Sequence, residues 1–161
     1  MTLLRPMRQE TYPAFVQAVV SGYAQENVTA GRWAAIGALE RSREEFWALL
    51  PAGLETPDPF LFEIAEEEAG PLIGFVWYAI STKHGSRTAY IYDLELEEEH
   101  RRKGHAFRAL KILESIAAAA GATSIGLNVF INNPTAQALY RKLGYAPTNI
   151  NMRKHLDAIG S

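Results

Sequence analysis

The chain has 161 residues, 48% of them apolar, and 16 Lys and Arg against 18 Asp and Glu give a net charge of −2. The length predicts one domain over residues 1–161 with a core of its own, and the balanced charge excludes a nucleic-acid binder that relies on a broad basic surface. Cysteine is absent, which excludes a disulfide scaffold, a thiolate zinc site and a protein-borne thiol nucleophile.

Thr2–Met7 is short, apolar and partly alternating, which predicts a first strand. Arg8–Glu26 carries Phe15, Val16, Val19, Val20 and Tyr23 at helical spacing, with Pro13 in the first turn, where its missing N–H does no harm. A second helical stripe runs from about Ala30 to Leu50, through Trp33, Ile36, Leu39, Phe46, Trp47 and Leu50, with Gly31 and Gly37 weakening its continuity. Pro51–Pro59 is a loop. Three strands follow: Phe60–Ala65, Leu72–Ile80 and Ala89–Leu96. Glu66–Pro71 and Thr82–Arg87 are the turns between them. Leu72–Ile80 is almost continuously apolar and reads as buried on both faces.

After Gly104 the period changes. Phe107, Leu110, Leu113, Ile116 and Ala117 mark a helix that Gly121 stops. Thr123–Ile131 is a strand. Asn133 and Pro134 open the last helix as N-cap and first residue, and Gly144 ends it. Tyr145–Lys154 has strand character. The order β-α-α-β-β-β-α-β-α-β is that of a mixed α/β domain. No run approaches the ~18 apolar residues of a membrane span, and Met1–Arg8 has no apolar signal core, so a cytoplasmic protein with no membrane partner is expected.

The chain has no P-loop, no GxGxxG and no GxSxG elbow. His84, His100, His105 and His155 form no set with metal-ligand spacing, so no metal is expected. The informative stretch is Arg101-Arg102-Lys103-Gly104-His105-Ala106, where a strand passes through a cationic turn into a helix. A helix N-terminus offers unpaired amides and partial positive charge to an anion. Gly104 and Ala106 let a phosphate approach the backbone. A capped helix beside a solvated basic turn accounts for the same residues.

The rest of the segment favours the anion site. Arg101, Gly104 and Ala106 fit a motif of Arg or Gln, two residues, Gly, one residue, then Gly or Ala. Leu127-Asn128-Val129, Asn133, Ala136, Tyr140 and Gly144-Tyr145 follow in series. In these features, all within 89–145, the sequence resembles the GCN5-related N-acetyltransferase (GNAT) superfamily. Within it, Tyr23–Glu26, Leu54–Pro57 and Tyr92-Asp93 are similar to uncharacterised bacterial members. The resemblance implies a mostly antiparallel central sheet with splayed fourth and fifth strands, flanked by about four helices.

It also implies acetyl-CoA as co-substrate and direct attack of an amine on the thioester, an enzyme with no covalent intermediate. The pantetheine arm would lie along Leu94, Glu95 and Leu96. The pyrophosphate would sit on the amides of Arg102, Lys103, Gly104, His105, Ala106 and Phe107, with Arg101 and Lys103 supplying charge. A bulge near Asp93–Leu94 would explain the shift of apolar parity from Ile91 to Leu94 and Leu96. Asn133 matches a residue that contacts the cofactor arm, and Tyr140 matches the general acid; a phenol of pKa about 10 keeps its proton at neutral pH.

The base is unassigned by this likeness. Some relatives carry Glu or His where this chain has Tyr90 and Tyr92, and others a Glu where it has Asn128; these three are left to line the substrate pocket. Glu95 is the candidate base, with Asp93, Glu26, Glu44 and a water relayed by Tyr90 or Tyr92 as alternatives. The acidic runs Glu66–Glu68 and Glu95–Glu99 could draw in a cationic amine, free or on a peptide. A homodimer through the edge strand at 149–154 is implied by likeness. The alternatives are an acyl-CoA-binding regulatory module of the same fold without turnover and, more remotely, a nucleotide-binding domain of another fold.

Overall fold

The computed structural model describes residues 1–156. Five strands form one sheet in the order β1-β2-β3-β4-β5: Leu3–Pro6, Pro59–Ala65, Leu72–Lys83, Ser86–Leu96 and Ser124–Leu127. Neighbours are antiparallel except β4 and β5, which are parallel. Four helices flank the sheet: α1 (Tyr12–Thr29), α2 (Ala38–Leu49), α3 (His105–Ala119) and α4 (Pro134–Lys142).

Strand β3 is buried on both faces, as its continuous apolar run predicts. Phe75 and Trp77 pack with Phe15, Val19 and Val20 of α1 and Phe46 of α2. Val76, Tyr78 and Ile80 point the other way, onto Leu110, Leu113 and Ala117 of α3 and Leu139 and Tyr140 of α4. Gly74, also on β3, lies so close to β4 that a side chain there would run into the Glu95 carbonyl. The β3–β4 hairpin turns at His84 (φ 52°) and Gly85 (φ 78°). Two successive left-handed residues match the strand twist.

The hairpin strands β3 and β4 run on to Lys83 and from Ser86, further than the sequence reading of Ile80 and Ala89, and α1 runs on to Thr29; four other departures are larger. Helix α1 begins at Tyr12 because Arg8 and Thr11 are held in a turn by the Glu63 carboxylate. Helix α2 begins only at Ala38, since Gly31 (φ 75°) and Gly37 (φ 83°) fold residues 30–37 into turns. Strand β5 stops at Leu127, short of Ile131. Residues 145–156 form no strand; Ile150 and Met152, alternating as an edge strand requires, stay 82% and 86% exposed.

Glu63 is fully buried on β2, directly across from Arg5 of β1. Arg5 Nε donates to it at 2.7 Å, and Arg8 Nε and the Thr11 hydroxyl also donate. Arg5 Nη1 additionally donates to the Glu68 carbonyl at 2.7 Å. Glu63 and Arg5 together thus tie β1 to the start of α1 and to the β2–β3 turn. Although burial works against ionisation, these donors hold its pKa at about 2. No helix among the described residues is long and apolar enough to cross a membrane.

Candidate active site

Strands β4 and β5 pair only from Thr88–Ser124 to Ile91–Leu127. Beyond that point they part, and the β4 backbone from Tyr92 to Leu96 has β3 on one side and no strand on the other. The parting coincides with a bulge. Trp77 pairs with Asp93 and Tyr78 with Ile91, leaving Tyr92 as the extra residue. The bulge lies one residue before the expected position and has the expected effect. Ile91, Leu94 and Leu96 pack on the α3 side, and Tyr92 stacks on Trp77 at 4.7 Å on the other face.

A cleft of about 1290 Å³ opens at this gap. One end is the N-terminus of α3. Its cap is Gly104 in the left-handed region (φ 84°), with no side-chain cap bond, so the first amides have no partner inside the helix. Arg102 is also left-handed (φ 62°). A Cβ on Gly104 would be strained at this positive φ and would displace the Arg108 guanidinium as well, so the turn favours glycine there. Arg101 Nε donates to the Leu96 carbonyl at 3.0 Å, tying the cationic turn to the end of β4.

The His105 side chain faces away from this anion site. It is 3% exposed, with Nδ1 2.9 Å from the Thr2 hydroxyl and Nε2 3.2 Å from Glu66. Burial and the neighbouring Arg108 hold its pKa below the ordinary imidazole value. The side chain thus anchors the turn to β1 and leaves the backbone amide for a ligand. Asn133 caps α4, its Oδ1 accepting from the Ala136 amide at 3.2 Å.

The middle of the cleft collects acids. Glu26 of α1 and Asp93 and Glu95 of β4 all line it. Burial and the charges of Glu95 and Glu26 push Asp93 well above the usual carboxylate range, against one hydrogen bond from the Leu94 amide. Burial raises Glu95, opposed by Arg101. Burial and then Glu95 raise Glu26. Tyr140 of α4 faces the same space, and burial with the charges of Asp93 and Glu26 pushes its hydroxyl up to about 12.

The cleft brings together Tyr90, Tyr92, Leu94, Glu95, Leu96, Arg101, Arg102, Gly104, His105, Ala106, Phe107, Asn128, Asn133 and Tyr140. Lys103 is exposed and does not line it. Glu44 and the Glu66–Glu68 run also lie outside the lining, where Glu66 serves His105. Arg32 and Glu45 line the cleft without being singled out by the sequence, and Tyr23, read there as part of the apolar stripe of α1, lines it too. No motif marks Arg32 or Glu45, which come from the α1–α2 loop and from α2. Glu97, Glu99 and His100 bring three ligand atoms within 4.8 Å of one another, but none of the three lines the cleft.

The sequence profile described as "Acetyltransferase (GNAT) family" matches residues 23–145. The uncharacterised N-acetyltransferase YdgE of Bacillus subtilis is 36% identical over 153 residues, 95% of this chain and 97% of its own. The uncharacterised N-acetyltransferase YycN of the same organism is 36% identical over 154 residues, 96% and 98% of the two chains. The crystal structure of YycN superposes with a TM-score of 0.91, covering 98% of this chain and 100% of that one at 35% identity.

Proposed function

The chain belongs to the GNAT acetyltransferase family and is an acyltransferase, and from that footing we propose that its 161 residues form one domain transferring an acetyl group from acetyl-CoA to a primary amine, by direct attack in a ternary complex. The observation that carries this reading is the parting of β4 from β5 beside the uncapped N-terminus of α3, with Tyr140 in the same cleft.

The residues fit such a co-substrate. The free edge of Leu94–Leu96 can accept an amide-bearing arm as it would accept a strand. The open amides of His105, Ala106 and Phe107, with Arg101 and Arg102, suit a pyrophosphate. Asn133 caps with Oδ1 and keeps its amide N–H groups for the arm. When bound, acetyl-CoA supplies the thioester whose C–S bond breaks as the C–N bond to the amine forms.

Two protons must be managed by the protein. An alkylammonium of pKa about 10 must lose one before it attacks, and the departing thiolate, of pKa about 8.5 as a free thiol, is helped by a donor. Glu95 with Asp93 and Glu26 is the proton acceptor in this reading, because raised carboxylates lie closer to the amine in basicity than ordinary ones. Tyr140 donates to the leaving sulfur. With a pKa near 12 its hydroxyl stays protonated at every practical assay pH. Tyr90 and Tyr92, about 40% exposed, and Asn128 form the acceptor wall.

A thiol-release assay with acetyl-CoA against amines, amino acids, polyamines and peptides tests the reading. Tyr140→Phe lowers kcat about 100-fold or more while calorimetric acetyl-CoA affinity stays within about twofold. Unchanged turnover removes Tyr140 from the chemistry. Tight acetyl-CoA binding with no thiol release over the whole panel replaces the enzyme with an acyl-CoA-binding regulatory module. The exposed alternation of Ile150 and Met152 supports a homodimer in which residues 149–154 find a strand partner on a second copy. Sedimentation then gives twice the 17.9 kDa chain mass, and Ile150→Asp with Met152→Asp returns it to monomer.

A further inference from the structure

Arg32 is a cation on the α1–α2 side of the cleft. Of the cations lining it among the described residues, Arg101 and Arg102 come from the turn before α3 and Lys142 from α4. Arg101 and Arg102 belong to the end read as the pyrophosphate site, and Lys142 lies over the Phe107 ring at that same end. Arg32 alone comes from the α1–α2 side, which also supplies Tyr23, Glu26 and Glu45.

The side chain is held in place without being neutralised. Its Nη1 donates to Asn27 Oδ1 at 2.8 Å. Asn27 is itself fully buried, donating from Nδ2 to the Tyr23 carbonyl, and its own carbonyl accepts the amides of Arg32 and Trp33. The guanidinium sits 5.9 Å from the centre of the Phe130 ring, just past β5. The Asn27 bond is the only hydrogen bond of this guanidinium among the described residues, and its sealed Nε has no partner. No carboxylate among them forms an ion pair with it, although three raised carboxyl groups line the same cleft. A guanidinium presents a rigid fork of donors matched to a carboxylate. Fixed in a cleft and left unpaired, it is a receptor for an anionic group that arrives with a ligand.

We propose that Arg32 is a specificity-determining residue that binds a carboxylate on the acceptor, so that the acceptor is an amino acid-like zwitterion. Its ammonium group faces the Glu26, Asp93 and Glu95 carboxylates, and its carboxylate meets Arg32 with Tyr23 and Tyr90 as walls. The proposal deepens the acetyl-transfer reading and rests on it for the identity of the cleft. It distinguishes the acceptor from a polyamine or a lysine side chain, neither of which brings an anion to the arginine.

The test pairs ω-amino carboxylates of two to six carbons with the alkylamines that lack the acid group. With the wild-type protein at least one amino carboxylate is acetylated with a KM about 10–100-fold below its matching amine, the worth of one charge-assisted contact. Arg32→Gln removes that preference and leaves the KM for the plain amine within about twofold, which also shows the variant folded. Arg32→Lys keeps part of the preference. An equal KM for both members of every pair, or a preference that survives in Arg32→Gln, overturns the proposal. If no acceptor releases thiol, calorimetry of the same amino carboxylates decides. Binding lost in Arg32→Gln upholds the carboxylate site while the transfer reading fails, and binding absent or unchanged overturns the site as well.

Discussion

Glu63 and the group Glu26, Asp93 and Glu95 are carboxylates drawn out of bulk water on opposite terms. Glu63 has no exposed surface, yet Arg5, Arg8 and Thr11 supply enough donors to hold its pKa at about 2. The three cleft acids have one another as neighbours, with Arg101 reaching only Glu95, and all are pushed up. Both arrangements are costly to build, because desolvating a charge always is. The first recovers the cost locally by joining β1, α1 and the β2–β3 turn. The second leaves it unrecovered, which is the pattern expected where charge is kept for a ligand or a reaction. Perturbation alone does not mark a site; perturbation without compensation, in an open cleft, does.

The sharpest way to break this contrast is to remove one acid from each place. Glu63→Ala leaves Arg5 buried without its partner and is expected to cost about 3–5 kcal/mol of folding stability. Asp93→Asn removes a charge that its surroundings disfavour and should change stability by less than about 1 kcal/mol. Urea denaturation at pH 7 measures both. Equal losses at the two positions would show that the cleft acids are structural too.

A smaller effect separates the cleft acids from each other. The charge of Glu95 raises both Asp93 and Glu26. Glu95→Gln therefore lowers the pKa of whichever acid remains as acceptor, and the acid limb of kcat/KM shifts to lower pH. The expected loss at neutral pH is about tenfold, since two carboxylates stay in place. A loss of 100-fold or more, with the acid limb abolished, would instead make Glu95 the sole base.

Much of this was legible in the residues, and the legible part has a common cause. Arg101, Gly104 and Ala106 and the series Asn133, Ala136, Tyr140 are local patterns on continuous elements, so their placement in the cleft follows once α3 and α4 are recognised. The parity shift between Ile91 and Leu94 exposed the bulge within one residue. The Glu63 knot was invisible, because it depends on the β1–β2 register that sets Arg5 opposite Glu63, and the alternation of Phe60–Ala65 carries no sign of its partner strand. Arg32 and Glu45 escaped for a similar reason. They enter the cleft through the turns at Gly31 and Gly37, which break what the apolar stripe from Trp33 to Leu50 suggested was one helix. Residues 145–154 have strand periodicity but no strand partner, and periodicity alone cannot supply one.

The finest discrimination between the two regions lies in how their stabilities fade with acid. Glu63 has a folded pKa of about 2 against 4.5 unperturbed. Between those values the unfolded chain binds more protons, so stability falls as pH drops through that window and the contribution is intact above it. For Glu95 and its neighbours the folded pKa lies above the unperturbed value, so between the two the folded chain binds more protons. Their penalty is full above the raised values, fades as pH falls below them and is gone below the unperturbed values. Comparing each variant with the parent protein isolates these terms from other titrating groups, including His105. The stability gained by Glu95→Gln should shrink as pH falls from 7 towards 4.5 and be gone only below that value, whereas the stability lost in Glu63→Gln should persist down to about 4.5 and shrink only below it. Equilibrium unfolding at pH values from 7 down to 3 reads both differences, and fading of the two in the same window would mean that the cleft acids share the compensated environment of Glu63.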